Sequence, residues 1–159
     1  MISRTIYNFK KFQELKDATI KCIQDTAPGK TPVSPVKGME VTYLDTLIPE
    51  VSGTIFEELI LSVPTKVCKI RIVKVNGNTV CQIPPETDPM IYVPIISHKN
   101  NGFLFPEEDY MRTLQATGNI LWIDTTRNYT FINWGIDPVI NLVMSIVDKD
   151  YIPALKIGH

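Results

Sequence analysis

Apolar and polar positions alternate most clearly over residues 67–83, V-C-K-I-R-I-V-K-V-N-G-N-T-V-C-Q-I. A period of two is the signature of a half-buried strand. Asn76-Gly77 interrupts it, and this dipeptide is the strongest hairpin signal, because a type I′ turn needs φ > 0 at both central residues. The register that follows sets Ile72 opposite Cys81 and Ile70 opposite Ile83. One face then gathers Cys68, Ile70, Ile72, Cys81 and Ile83. The other carries Lys69, Arg71, Val73, Val80 and Gln82. A hairpin alone is marginal, so its apolar face is expected to pack against helices.

Helical spacing marks residues 8–26, where Phe9, Phe12, Leu15, Thr19, Cys22 and Ile23 share a face and Asn8 is placed to cap the first turn. Residues 45–62 read as a second helix on Leu47, Ile48, Val51, Ile55 and Leu59, with Pro49 in its first turn. Between them, residues 26–38 hold Pro28, Pro32 and Pro35, which exclude helix and predict an extended arm. Residues 90–96 read as a strand that Pro94 confines to an edge or a bulge. Phe103-Leu104-Phe105 adjoins a polar loop, either tucked under the core or presented as a contact patch.

Pro106-Glu107-Glu108-Asp109 opens a third helix that Gly118 would stop. A second hairpin follows, with N-I-L-W-I-D-T running up, T-R-N turning and Y-T-F-I-N-W running back. Residues 139–148 fit helix or buried strand. The Asp137-Pro138 start favours helix, with Asn141, Ser145 and Asp148 on one narrow stripe. The expected fold class is therefore α+β: antiparallel β-hairpins in a small sheet packed against three or four helices. It is one domain over residues 1–159, with the arm at 26–38 and a patternless tail at 151–159.

Charge sharpens this picture. The chain has 159 residues, 44% hydrophobic and 21% charged, enough to build a core. Its net charge of −1 disfavours a dedicated nucleic-acid domain. The charge is nonetheless segmented. Residues 1–37 are net +4, residues 38–65 are net −5, and residues 66–80 are net +4. Such blocks suit complementary surfaces, within the chain or between subunits. The first residues lack the apolar run of a secretory signal, and no apolar run approaches a membrane span. A cytoplasmic location is expected, with no membrane contact.

Candidate chemistry is thin. Cys22, Cys68 and Cys81 are odd in number and form no CxxC. The only histidines are His98 and His159, and no phosphate-loop, dinucleotide, nucleophile-elbow or zinc-protease motif is present. Glu107, Glu108 and Asp109 are consecutive and share no helix face. The expectation is a protein that is not an enzyme and has no catalytic residues, metal or cofactor. Lys69, Arg71 and Lys74 on an open strand face offer phosphate contacts, so a small cytosolic nucleic-acid-binding or regulatory module is the alternative.

The layout resembles the small ring or adaptor proteins of tailed bacteriophage necks. The resemblance rests on the opening amphipathic helix, the proline arm, the K-I-R-I-V-K-V-N-G-N-T hairpin and the aromatic second hairpin. It implies a structural protein of the virion, assembled in the host cytoplasm as a homo-oligomeric ring with portal or tail proteins as neighbours. The contact residues it implies are Lys30, Pro32, Pro35, Lys69, Arg71, Lys74, Phe103, Leu104, Phe105, Tyr151 and Ile152.

Overall fold

A computed structural model of the chain describes residues 1–25 and 36–154. Ten strands and three short helices run in the order β1 (Ser3–Asn8), α1 (Phe12–Gln24), β2 (Met39–Tyr43), α2 (Leu44–Leu47), α3 (Ile55–Ser62), β3 (Val67–Val75), β4 (Thr79–Ile83), β5 (Met90–Ile96), β6 (Asn101–Phe105), β7 (Tyr110–Thr113), β8 (Asn119–Ile123), β9 (Tyr129–Asn133) and β10 (Val139–Ile146). One sheet has the order β1-β8-β5-β10-β3-β2, and the other β4-β9-β6-β7. All pairings are antiparallel. From β3 onward the chain alternates between the sheets, with β6 and β7 together in the smaller one. This is a jelly-roll arrangement, in which two antiparallel sheets close over a shared interior.

The expected α+β class is therefore replaced by a mostly β one, and its two hairpins do not form. β3 pairs with β2 and β10, whereas β4 pairs with β9. Residues 76–78 carry the chain from one sheet to the other. Among the described residues of that turn, Asn78 alone has positive φ, at 53°, so the turn is not type I′. Gly77 is needed for a different reason. A Cβ there would lie 1.9 Å from the Ile136 carbonyl oxygen. The Asn78 amide donates to the Gly135 carbonyl at 2.9 Å, locking the crossing against the 134–137 loop. The second apparent hairpin opens likewise: β8 joins β1 and β5, and β9 joins β4 and β6.

The crossings also redistribute the hairpin's faces. Ile70 and Ile72 pack on the helix-covered outer core, while Cys81 and Ile83 belong to the interior between the sheets. β10 is buried on both faces, with Ile140, Leu142 and Met144 toward the helices and Val139 and Val143 toward the interior. A strand buried on both sides shows no alternation, so its apolar run imitates a helix. Pro94 sits inside central β5 opposite Asn141, at a register shift between Ile140 and Asn141.

The remaining differences are local. Asn8 ends β1 rather than capping α1, and its amide donates to Thr117 O and Asn119 Oδ1. The second helix divides before Pro49, where Ile48 is extended as a residue preceding proline prefers. The third is one 3₁₀ turn at Pro106–Glu108, followed by β7. The arm falls mostly outside the described residues.

Phe103 is fully buried where the sheets meet. Its ring lies 4.8 Å from that of Tyr92 and 5.1 Å from that of Phe131, both edge-on. Phe103→Ala is expected to cost about 3–5 kcal/mol, the usual penalty for emptying a buried phenylalanine site. Urea denaturation measures it, and an unchanged midpoint would contradict this account of the core.

Candidate functional site

A cavity of about 310 Å³ opens inside the barrel between β2, β3, β5, β9 and β10. Its size is at the low end for small-molecule sites. Val73, Val143, Met39 and Phe131 supply most of its apolar wall. Arg71, Glu86, Asn141, Tyr92 and Tyr129 are the polar groups that line it, with Tyr43 at the exposed rim.

Arg71 reaches the cavity through a bulge. Val143 pairs with Arg71, but Ser145 pairs with Cys68, so β3 carries one residue more than β10 between these points. Lys69 takes the left-handed conformation there, with φ 51°. A bulge re-aims neighbouring side chains and is common beside functional sites. Arg71 Nε donates to the Lys69 carbonyl at 3.0 Å, and Nη2 donates to Ser145 Oγ at 2.5 Å, with Met90 Sδ at 3.8 Å. The guanidinium also lies 5.8 Å from the centre of the Tyr43 ring, within cation–π range. Among the described residues Arg71 forms no ion pair. A half-buried cation is thus held by neutral partners.

Tyr92 and Tyr129 are buried and close enough for each phenol to influence the other. Burial pushes both phenols well above their ordinary range. Glu86 adds in the same direction and Arg71 opposes it; for Tyr129 the neighbouring Tyr92 raises it further. Both therefore stay neutral and can donate hydrogen bonds. Asn141 extends from the inner face of β10, is 1% exposed, and its Oδ1 has no hydrogen-bond partner. A second cleft of about 390 Å³ shares Glu86 and Met90 with the cavity and carries Lys69 and Lys149 on its walls.

The expected contact residues scatter. Arg71 lines the cavity, and Lys69 is exposed at its edge. Lys74 is half-buried on β3, paired with Glu40 and Ile140. Phe103 and Phe105 are fully buried and offer no surface, while Leu104 is half-buried. Tyr151 packs on the outer core, and Ile152 is 73% exposed. Lys30, Pro32 and Pro35 lie outside the described residues. Tyr43, Glu86, Tyr92, Tyr129 and Asn141 were not anticipated as site residues. The one hint was Asn141, a lone amide in an apolar run.

No protein-family model and no curated protein sequence matches the chain. Solved structures do. The viral collagen prolyl hydroxylase vCPH from Paramecium Bursaria Chlorella virus-1, in complex with 2OG, aligns at TM-score 0.56 and 10% identity, over 92% of this chain and 97% of that one. HygX from Streptomyces hygroscopicus, with nickel, 2-oxoglutarate and hygromycin B bound, aligns at 0.57 and 6%, over 92% and 82%. The polyketide cyclase RemF from Streptomyces resistomycificus aligns at 0.52 and 10%, over 86% and 84%. At these identities the likeness is one of fold. It overturns the resemblance to phage-neck adaptors. The ring, the portal and tail neighbours and the virion role lose their basis with it, and the nucleic-acid alternative loses its own because β3 is paired on both edges and Arg71 lines the cavity. The similar structures include a named hydroxylase and a named cyclase, where no enzyme was expected.

A non-haem iron centre of the oxygenase type needs two histidines and a carboxylate on one site. The described residues do not supply one. His98 follows the far end of β5, lies against Gly135, and does not line the cavity. Among the described residues no group of three His, Cys, Asp or Glu could hold a metal ion. Glu86 is the only carboxylate on the cavity wall among the described residues.

Two measurements check this site. In equilibrium dialysis against Fe(II) or Ni(II), bound metal should stay far below one per chain, and stoichiometric binding would contradict the donor reading. In an alkaline titration followed by phenolate absorbance, Tyr92 and Tyr129 should ionise last. Their folded pKa values lie above the unfolded value of about 10, so the stability they contribute is complete below pH ~10 and falls as pH rises past it. Tyr92→Phe should flatten the alkaline loss of melting temperature.

Proposed function

We propose that this chain is an enzyme that takes a small organic acid into its barrel, anchors the carboxylate on Arg71 and handles the substrate by proton transfer. The observation that carries the proposal is Arg71, a half-buried guanidinium in an apolar cavity with no ion-pair partner among the described residues. A cation withdrawn from water is costly unless an anion or dipoles compensate it. The Lys69 carbonyl and Ser145 hydroxyl hold its Nε and Nη2, which orients the group. A planar fork so fixed suits bidentate recognition of a carboxylate. In the adjoining cleft Lys149 is paired with Asp88, which leaves Lys69 as the lysine there able to attract an anion.

The groups able to act on such a substrate are Glu86 and the Tyr92–Tyr129 pair. Glu86 can accept a proton. Two neutral phenols can donate hydrogen bonds to oxygen that gains charge. Similar folds with organic acids or polyketides in their names support a barrel interior adapted to such molecules. 2-Oxoglutarate, named with two of them, is the first acid to try.

Isothermal titration with a panel of carboxylates, 2-oxoglutarate included, should find acids that bind while their neutral amides do not. Arg71→Met should weaken binding by about ten- to a hundredfold, as expected for losing charge-assisted hydrogen bonds. Acids and amides that bind alike, or an Arg71→Met protein that binds acids normally, would sink the proposal.

A further inference from the structure

The cavity holds a second polar anchor, and its distance from Arg71 restricts the ligand. Asn141 Oδ1 is buried without a partner, on a side chain that lines the same cavity. Buried polar atoms are nearly always hydrogen-bonded, and those that are not call for an explanation. Backbone geometry does not demand an amide here. Asn141 stands between Val139 and Val143 on the inner face of β10 and pairs with Val73 on β3. A valine or leucine would continue this apolar stripe.

The two anchors lie at separate levels of the barrel. The Arg71 guanidinium is held at Ser145, four residues along β10 from Asn141. Four residues of strand span about 13 Å. Val143 lies between the levels and Val73 stands beside Asn141; both line the cavity and carry no polar side-chain atom.

Resting on the reading of Arg71 as a carboxylate anchor, we infer that the ligand is an elongated organic acid. It carries a hydrogen-bond donor, a hydroxyl or an N–H, at the end remote from its carboxylate, and that donor meets Asn141 Oδ1. The apolar body between them lies over Val73 and Val143. Asn141 is then a specificity-determining residue, whose buried oxygen is left unsatisfied by the fold and satisfied by the ligand.

The test pairs acids that differ only in the remote donor: 3-(4-hydroxyphenyl)propanoate against 3-phenylpropanoate, and 6-hydroxyhexanoate against hexanoate. Calorimetric titration should show the full chain preferring the hydroxylated member of at least one pair by about tenfold, the scale of one neutral hydrogen bond in a buried site. Asn141→Leu should abolish that preference, so that the two members of each pair bind within about twofold of one another. Its melting temperature should hold or rise, because an unpaired polar atom has been replaced by a packed apolar group. A drop would mark Asn141 as structural and overturn the inference. If Asn141→Leu does not fold, Asn141→Val makes the same comparison.

Equal binding of hydroxylated and plain acids by the unmodified chain overturns the inference while leaving the carboxylate anchor standing. So does a preference that survives in the variant. Failure of all four acids to bind at millimolar concentration removes the anchor itself and the inference with it.

Discussion

The barrel is held closed from within by the ring of Phe103. Its neighbours come from both sheets: Tyr92 on β5, and Tyr129 and Phe131 on β9. Edge-on aromatic pairs contribute beyond the area they bury. Phe105 and Tyr110 continue the cluster along the smaller sheet. The same rings set the chemistry of the interior. Tyr92 and Tyr129 are phenols, and the packing that buries them keeps them neutral. The structural core and the polar wall of the cavity are thus one set of side chains.

Beside those neutral rings the charge of Arg71 stands out. Its position costs something locally, since Lys69 adopts a left-handed backbone that residues with a Cβ rarely enter. Nothing in the packing of β3 asks for this. Val73 and Val75 already face the interior in regular alternation, and a regular strand would have served the sheet. The bulge turns the strand so that its polar end meets Ser145, Met90 and the ring of Tyr43. Local strain at one residue, an orphaned amide at another and an unpaired cation between them are departures from the most stable sequence for this backbone. Departures of this kind gather at functional sites.

Strand content was partly legible in the chain. The alternation over β3 and β4 and the run of β5 were read from period and composition alone. The partners of the strands were not. Asn76-Gly77 carries the local chemistry of a hairpin, yet the glycine is there because the Ile136 carbonyl leaves no room for a Cβ. A turn signal reports that the chain changes direction and cannot report which sheet receives it. β10 failed for a different reason: burial on both faces erases the period that identifies a strand. Arg71 was singled out from its place on a basic stripe, but that stripe exists only in the hairpin register. In the fold, Arg71 faces inward and Lys69 outward. Glu86 and Tyr92 are near in sequence but Tyr129 is remote and the three share no motif, so only the jelly-roll crossings bring them to one wall.

The barrel and its chemistry are separable for a physical reason. Strand pairing, the double burial of β10 and the ring cluster fix the backbone, and they require only apolar side chains of suitable size at most inward positions. The few polar inward positions are free to vary without loss of the fold. In this chain they carry a guanidinium, an amide, a carboxylate and two phenols, not the two imidazoles and carboxylate of an oxygenase iron site. Phenols held neutral by burial are poor metal ligands, and one carboxylate is too few. Beside a guanidinium that lacks an anion, however, they form a set that can hold an acid and move its protons. Similarity of fold therefore gives the barrel, and what its cavity could hold is decided by this chain's own inward side chains.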